Sequence, residues 1–486
     1  MKRSTLLLGL SALLALAGSA SSAPKSPIRD AEKLLKRLRV AEKGLVKDHI
    51  RLAKDMEKEQ RAYEMWVSLK FAERLEPDHH RVKRLLPDVE PVQPDKLHPE
   101  FLQGHSKLVL TARTDFYQVL DRGVRGKLTP ADLAPVARRL LHYDPDHRIA
   151  RSVLGFGGTP GRWVTPREVA IQKRYAFALS KVPHPKPVEK HPFPKLEAAL
   201  GFGLQVYQGR HCWVAGVAGK KGTPPGHLIT MAKAAEVTYA AMHADLCGLK
   251  NSVFGGTGAP PEGVDTGKFR PPLLLMLTNK AQHQRFLDAV VSDEALKITG
   301  RQLAFVSTWW KPESVSVCDN RLAGKHLREW PAQRMAYQVL NQRFGFRRPT
   351  YLVQGLARYY SAHVSGQAMI RTVPLGSQSR ETAMMKAGDY AQLRALARWA
   401  VDHFQVDPPA TLGLFKTLNS MRRPDNALAT AFVDFLLAER RDQLIKLLVQ
   451  ADSKVRDVEA AYKEAFPEEP QADLDQVFAE WFQANY

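Results

Sequence analysis

Apolar residues recur at helical spacing from the start of the charged part of the chain. Leu34, Leu35, Leu38 and Ala41 recur at helical spacing in a stretch rich in Lys, Glu, Leu and Ala that runs from Asp30 to Leu75. Side chains at that spacing share one face of a helix, so residues 28 to about 87 are predicted helical. A second helical stretch runs from about Leu108 to Leu141. The pattern changes near residue 203, where short β-type runs appear: His211 to Val217, Pro272 to Thr278, Leu303 to Thr308 and Ser314 to Cys318. Between them lie helical stretches from about Leu228 to Leu249 and from Asn279 to Val291, and a Gly/Pro loop from Gly255 to Gly267. Everything from about residue 326 onward reads as helix.

The two N-terminal helical stretches end alike. Leu75-Glu76-Pro77-Asp78-His79 is followed by Val82, Leu85 and Leu86; Tyr143-Asp144-Pro145-Asp146-His147 is followed by Ile149, Val153 and Leu154. Proline stops one helix and the following aspartate can cap the next. Pro77 and Pro145 are 68 residues apart, two units of 34, which is the period of tetratricopeptide repeats. Residues 28–155 are therefore expected to form a tetratricopeptide-like helical array. The histidines at these endings read as turn residues beside solvated helices rather than as metal ligands. Residues 156–202 are expected as a linker or small module: Gly157-Gly158-Thr159-Pro160-Gly161 is a turn cluster, and the Pro/Lys/His stretch from Val182 to Pro194 reads as extended and exposed. Residues 203–325 then form a mixed α/β region and 326–486 a helical one. The fold class is α+β, mostly helical.

The N-terminus changes where this protein is expected to work. Lys2 and Arg3 precede an apolar run from Leu6 to Ala17, interrupted by Gly9 and Ser11, and small residues follow to Ala23. That layout is a secretory signal peptide, expected at 1–23 with cleavage after Ala20 or Ala23. A run of about 12 apolar residues is too short for a bilayer, which needs about 20. The chain is thus expected to be exported, periplasmic or extracellular, with no transmembrane anchor after cleavage. Its net charge of +21 favours anionic surfaces, which outside the inner membrane are envelope polymers and lipid headgroups. The basic residues are spread along the chain and form no nucleic-acid module. Export permits a disulfide, and Cys212, Cys247 and Cys318 all lie in the central region, so an odd thiol remains whichever pair is chosen. No CxxC is present.

Familiar catalytic signatures are missing. There is no GxSxG and no intact HExxH, and the glycines at Gly216, Gly219 and Gly222 lack the GK[ST] ending of a phosphate loop, because Lys220 is followed by Lys221. One stretch is informative nonetheless. Tyr351-Leu352-Val353-Gln354-Gly355-Leu356-Ala357-Arg358-Tyr359 resembles the W-L-x-E-G-L-A-x-Y pattern that opens the second active-site helix of exported bacterial zinc peptidases of the gluzincin type, the peptidase-MA-like family. The upstream Val339-Leu340-Asn341-Gln342-Arg343-Phe344-Gly345 resembles the part of the first active-site helix just after its second histidine. Pro271 to Thr278 with Gln284 to Leu287 resembles the strand and helix before the active site. Ser314 to Cys318 takes the place of the edge strand that aligns peptide substrate. Val458 to Ala465 and Leu474 to Phe482 resemble the closing helices. The resemblance covers about residues 205–486 and implies a zincin-like domain after the N-terminal array.

That register places HExxH on Gln333-Arg334-Met335-Ala336-Tyr337 and the third ligand on Gln354. Residues i and i+4 share a helix face, so two histidines there can grip one ion while the glutamate between them deprotonates its water. Here Gln333 and Tyr337 stand at the histidine positions, Arg334 at the catalytic glutamate and Gln354 at the ligand glutamate. An amide oxygen is a poor zinc donor, and a phenol ionises only near pH 10. A guanidinium about 4 Å from a dication costs roughly 8 kcal/mol at an effective dielectric of about 20, and it cannot act as a base. His326 and Glu329 precede the helix, and His363 lies nine residues past Gln354, about 13.5 Å along a helix, too far to replace a ligand. The sequence therefore implies no catalytic residue of the family, no metal and no cofactor at Gln333, Arg334, Tyr337 and Gln354. Those residues would form a polar, anion-binding cleft or fill the vacated site themselves. The leading expectation is an exported pseudo-metallopeptidase that binds a protein or an anionic envelope polymer. The alternatives are an active hydrolase with a non-standard centre and a basic, envelope-associated structural protein.

Overall fold

The computed structural model describes residues 26–87, 91, 94, 97–144, 146–159, 162–303, 305–310, 313–318, 326–346, 351–368, 388–389, 393, 397, 423–450, 458–468 and 471–485. The expected leader, 1–23, lies outside them. No helix among the described residues is long and apolar enough to cross a membrane. The protein is a mostly helical α+β chain with a small mixed sheet between helical regions, and it divides into two compact units, 1–155 and 156–486.

The first unit is two helical triplets in tandem. Helices α1 (Ala31–Lys58), α2 (Ala62–Leu75) and α3 (His80–Leu85) have 28, 14 and 6 residues. Helices α4 (Pro99–Arg125), α5 (Pro130–Tyr143) and α6 (Arg148–Val153) have 27, 14 and 6. The 68-residue spacing is therefore the length of one whole triplet, not of two equal helix pairs. Each long helix ends in a turn with one non-glycine residue at positive φ, Gln60 at 56° and Lys127 at 59°. Asp30 caps α1 through the Glu32 and Lys33 amides, and Thr129 with Asp132 forms a reciprocal capping box on α5. The aspartate caps expected after Pro77 and Pro145 do not form. His79 and His147 hold those cap positions, and Asp78 pairs with Lys83 at 2.8 Å instead.

The second unit begins earlier than the composition change near 203 implies. Residues 156–202, expected as a linker or small module, are folded elements of this unit. They hold a small hairpin, β1 (Gly157–Thr159) with β2 (Arg162–Val164), then α7 (Pro166–Lys181), β3 (Lys186–Val188) and α8 (Pro194–Leu200). Strand β3 joins the main sheet, and Tyr175 of α7 is buried in the larger core. There follow β4 (Leu204–Gln208), β5 (Trp213–Val217), α9 (Pro225–Leu246), β6 (Leu273–Met276), α10 (Lys280–Val290), α11 (Glu294–Leu303), β7 (Phe305–Trp310) and β8 (Glu313–Cys318). The sheet order is β3-β4-β5-β6-β8-β7, parallel across β5-β6-β8 and antiparallel at both ends.

Strand β6 is buried throughout, as befits a strand flanked on both sides and covered on both faces. Its side chains alternate between two cores. Leu273 and Leu275 pack with Phe286 and Leu287 of α10 and with Leu196 of α8, while Leu274 and Met276 join the larger core with α9. Residues 314–318 do not form an edge strand, because β8 is hydrogen-bonded to β6 on one side and to β7 on the other. It has no free backbone edge to offer a peptide.

The helices that follow are α12 (Glu329–Phe344), α13 (Tyr351–Ser365), α14 (Arg423–Glu439), α15 (Arg441–Gln450), α16 (Val458–Ala465) and α17 (Gln471–Asn485), with a short antiparallel pair β9 (Gln367–Ala368) and β10 (Gly388–Asp389). Helix α12 ends at Gly345, whose left-handed backbone (φ 73°) lets its amide and that of Phe346 reach back to the Asn341 and Leu340 carbonyls. Helix α13 is buried from Tyr351 to Val364, packed against α12, α14, α9 and α7. Glycine is required at 355, since a Cβ there would lie 2.5 Å from the Ala429 carbonyl oxygen of α14. Cys212, Cys247 and Cys318 are buried and are not joined in a disulfide.

Candidate functional site

The helical pitch sets Gln333 and Tyr337 on one face of α12, and α13 brings Gln354 to meet them. The Tyr337 hydroxyl donates to Gln354 Oε1 at 2.7 Å. The Arg334 guanidinium carbon lies 5.0 Å from the centre of the Tyr337 ring, a cation–π arrangement. Arg334 Nη2 also reaches Gln333 Oε1 at 3.5 Å, the outer limit of a hydrogen bond. The four residues picked out in the sequence thus form one continuous cluster. Gln354 is buried, and the other three are half-buried.

A second arginine, missed in the sequence reading, stands behind them. Arg358, one turn past Gln354, is buried and donates to Asn426 Oδ1 of α14. Burial pushes the Tyr337 phenol above its usual range, and the positive charges of Arg334 and Arg358 only partly oppose it. Burial also lowers both guanidiniums from their ordinary value. The cluster is thus a protonated phenol and two amides beside two guanidinium groups, with the Glu329 carboxylate acting on Arg358. Gln333, Arg334, Tyr337 and Gln354 themselves repel a dication and offer neither a carboxylate nor an imidazole to hold one. Nearby, His326 Nδ1 and Glu329 Oε2 are 3.1 Å apart at the start of α12. His363 is buried against Tyr359 and Tyr175, at 4.5 and 5.6 Å between ring centres. Among the described residues no group of three or more His, Cys, Asp or Glu is placed to hold a metal ion.

A second polar cluster lies in the same unit, and the sequence reading did not find it. In the turn between β4 and β5, the His211 amide donates to Glu236 Oε1 at 2.6 Å, and His211 Nδ1 lies 2.7 Å from Glu236 Oε2. The His211 ring stacks on Tyr239 at 3.7 Å, and Tyr239 stacks on His243 at 3.7 Å. His243 Nδ1 faces the Tyr239 carbonyl at 2.9 Å, so its Nε2 is the acceptor for Arg343 Nε at 3.0 Å. Burial holds the His243 imidazole down to about 3. The sequence signal was the helical spacing of Glu236, Tyr239 and His243 on α9.

No known protein family, curated protein or solved structure matches this chain.

Proposed function

We propose that the chain is an exported, non-catalytic peptidase-like protein, a zincin-like framework after an N-terminal helical array, that works by binding. The observation that supports this reading is the Tyr337–Gln354 hydrogen bond with Arg334 over the phenol ring. In a working zinc peptidase of the resembled family, that position would hold two imidazoles and two carboxylates around an ion. Here the side chains engage one another, and the charge at the position is positive. Hydrolysis through bound zinc needs a donor set and a base, and neither amides, a phenol nor a guanidinium supplies them. The partner is a protein or an anionic envelope polymer, for which the net charge of +21 provides long-range attraction.

Metal analysis of the purified protein, paired with a casein or peptide cleavage assay, tests the reading. Zinc below stoichiometric amounts and no chelator-sensitive cleavage are expected. One zinc per chain, or cleavage abolished by chelator, would sink it. Arg334→Glu separates binding through this position from binding through overall charge. Loss of partner binding at constant salt implicates the position. Binding that survives the change and fades uniformly with salt identifies a basic, envelope-associated protein instead.

A further inference from the structure

The His211 turn borders a cavity of about 540 Å³, within the size range of small-molecule sites. It shares no lining residue with the Gln333–Gln354 cluster. Its apolar lining includes Val182, Val237, Ala240, Val253 and Phe254, and its cations are Lys181, Lys186 and Arg210. Among the described residues Glu236 is the only carboxylate in the lining, and it is already engaged. Both its oxygens are turned to the His211 amide and ring, and the Cys212 thiol approaches Oε1 at 3.5 Å. Arg210 and Lys186 form no ion pair with any described residue. Lys181 lies over the Phe177 ring at 5.3 Å, and Lys233 adds a further cation beside His184 at 3.4 Å. The cavity therefore has an unbalanced positive lining beside an apolar one.

The His211 ring is held before any ligand arrives. Gly209 lets Glu236 approach the turn, since a Cβ there would lie 2.6 Å from Oε1. The stack on Tyr239, itself fixed by His243 and Arg343, sets the ring plane. With Nδ1 committed to Glu236, Nε2 is the ring nitrogen left to serve a ligand. The neighbouring thiol is no nucleophile: Cys212 is buried, and burial, then Glu236, pushes its pKa well above the ordinary value. The arrangement binds rather than forms covalent bonds.

We propose that this cavity is a binding site for a small anion-headed ligand, an aryl or short acyl body bearing one carboxylate or phosphate. The head meets Arg210, Lys186 and His211 Nε2, and the body lies on Val237, Ala240, Val253 and Phe254. Rigid placement of the histidine lowers the ordering cost of binding.

The test is calorimetric titration of the full mature chain with phenyl phosphate, phenylbutyrate, inorganic phosphate and the uncharged phenylbutanol. Saturable one-to-one binding of at least one aryl anion is expected, with inorganic phosphate and the alcohol roughly tenfold weaker or more. If only one aryl anion binds, the proposal stands and the head group is identified. Arg210→Gln and the cavity-filling Ala240→Phe should each weaken binding by about tenfold or more. Lys268→Gln, which removes an exposed charge outside the lining, should leave it unchanged. Arg210 lies on an exposed turn, so its variant decides the matter if Ala240→Phe fails to fold. No saturable binding, binding unchanged in Arg210→Gln, or an equal loss in Lys268→Gln overturns the proposal.

Discussion

Replacing Tyr337 by phenylalanine removes a single oxygen from the place where α12 meets α13. The ring stays, and so does its cation–π contact with Arg334 at 5.0 Å. What is lost is the 2.7 Å hydrogen bond to Gln354, whose side chain is buried with 3% exposure. A neutral hydrogen bond contributes about 1 kcal/mol net, and stranding a buried acceptor costs roughly 1–3 kcal/mol. Tyr337→Phe should therefore destabilise the second unit by about 1–3 kcal/mol, read as a lower urea midpoint at unchanged slope. Gln354→Leu should cost a similar amount, because it strands the phenol. The double variant removes donor and acceptor together, so it should be more stable than the sum of the single losses predicts, by about 1 kcal/mol or more. Strict additivity, or a Tyr337→Phe effect within about 0.3 kcal/mol of zero, would refute the reasoning. Either result would mean that water satisfies both groups and that the position is an open cleft rather than a self-filled one.

If the proposed register holds, installing the residues of the resembled family together, Gln333→His, Arg334→Glu, Tyr337→His and Gln354→Glu, should create a site that takes up one zinc per chain with chelator-reversible thermal stabilisation. A folded quadruple variant without zinc would show that the register is wrong. Buried His49 and His243 are both held down to about 3, chiefly by burial. The unfolded chain therefore binds protons that these folded histidines refuse. Stability is fully present above about pH 6.5 and is lost as pH falls toward 3, by up to about 1.4 kcal/mol per pH unit for each histidine; His49→Leu should flatten the acid slope of the first unit in unfolding measured across pH. Gly355→Ala should destabilise the second unit by more than about 1 kcal/mol, measured by thermal unfolding, because its Cβ must displace the α14 backbone at Ala429. An unchanged midpoint would show that the two helices separate freely.

Much of the framework was legible in the sequence because it rests on local chemistry. The apolar spacing around Leu34 and Leu38 marked α1, and the run around Leu273 to Leu277 marked the central strand. The likeness of the Pro77 and Pro145 endings exposed the 68-residue period, but not the helices inside it. A 28-residue helix followed by one of 14 has no signature at the endings. Strand β3 was missed because Lys186-Pro187-Val188 reads as an exposed, proline-broken stretch. It is a strand only because β4 supplies its hydrogen-bond partners at the sheet margin. Ser314 to Cys318 was recognised as a strand but misplaced at the edge, since strand order is set by pairing across distant segments.

The sequence by itself determined which side chains stand at the Gln333, Arg334, Tyr337 and Gln354 positions. Residue type also sets what these groups can offer: amides, a phenol and a guanidinium, in place of the imidazoles and carboxylates that the proposed register would require. Helical pitch further set Gln333 and Tyr337 on one face. Only the tertiary structure decided that Tyr337 donates to Gln354, that Arg358 stands behind them and that His211 is clamped by Glu236. These contacts join residues 17 to 25 positions apart on different elements, where neither propensity nor periodicity constrains side-chain approach. Their geometry comes from the packing of whole helices, fixed by close contacts such as Gly355 against Ala429 and by burial that leaves polar groups only one another to bond.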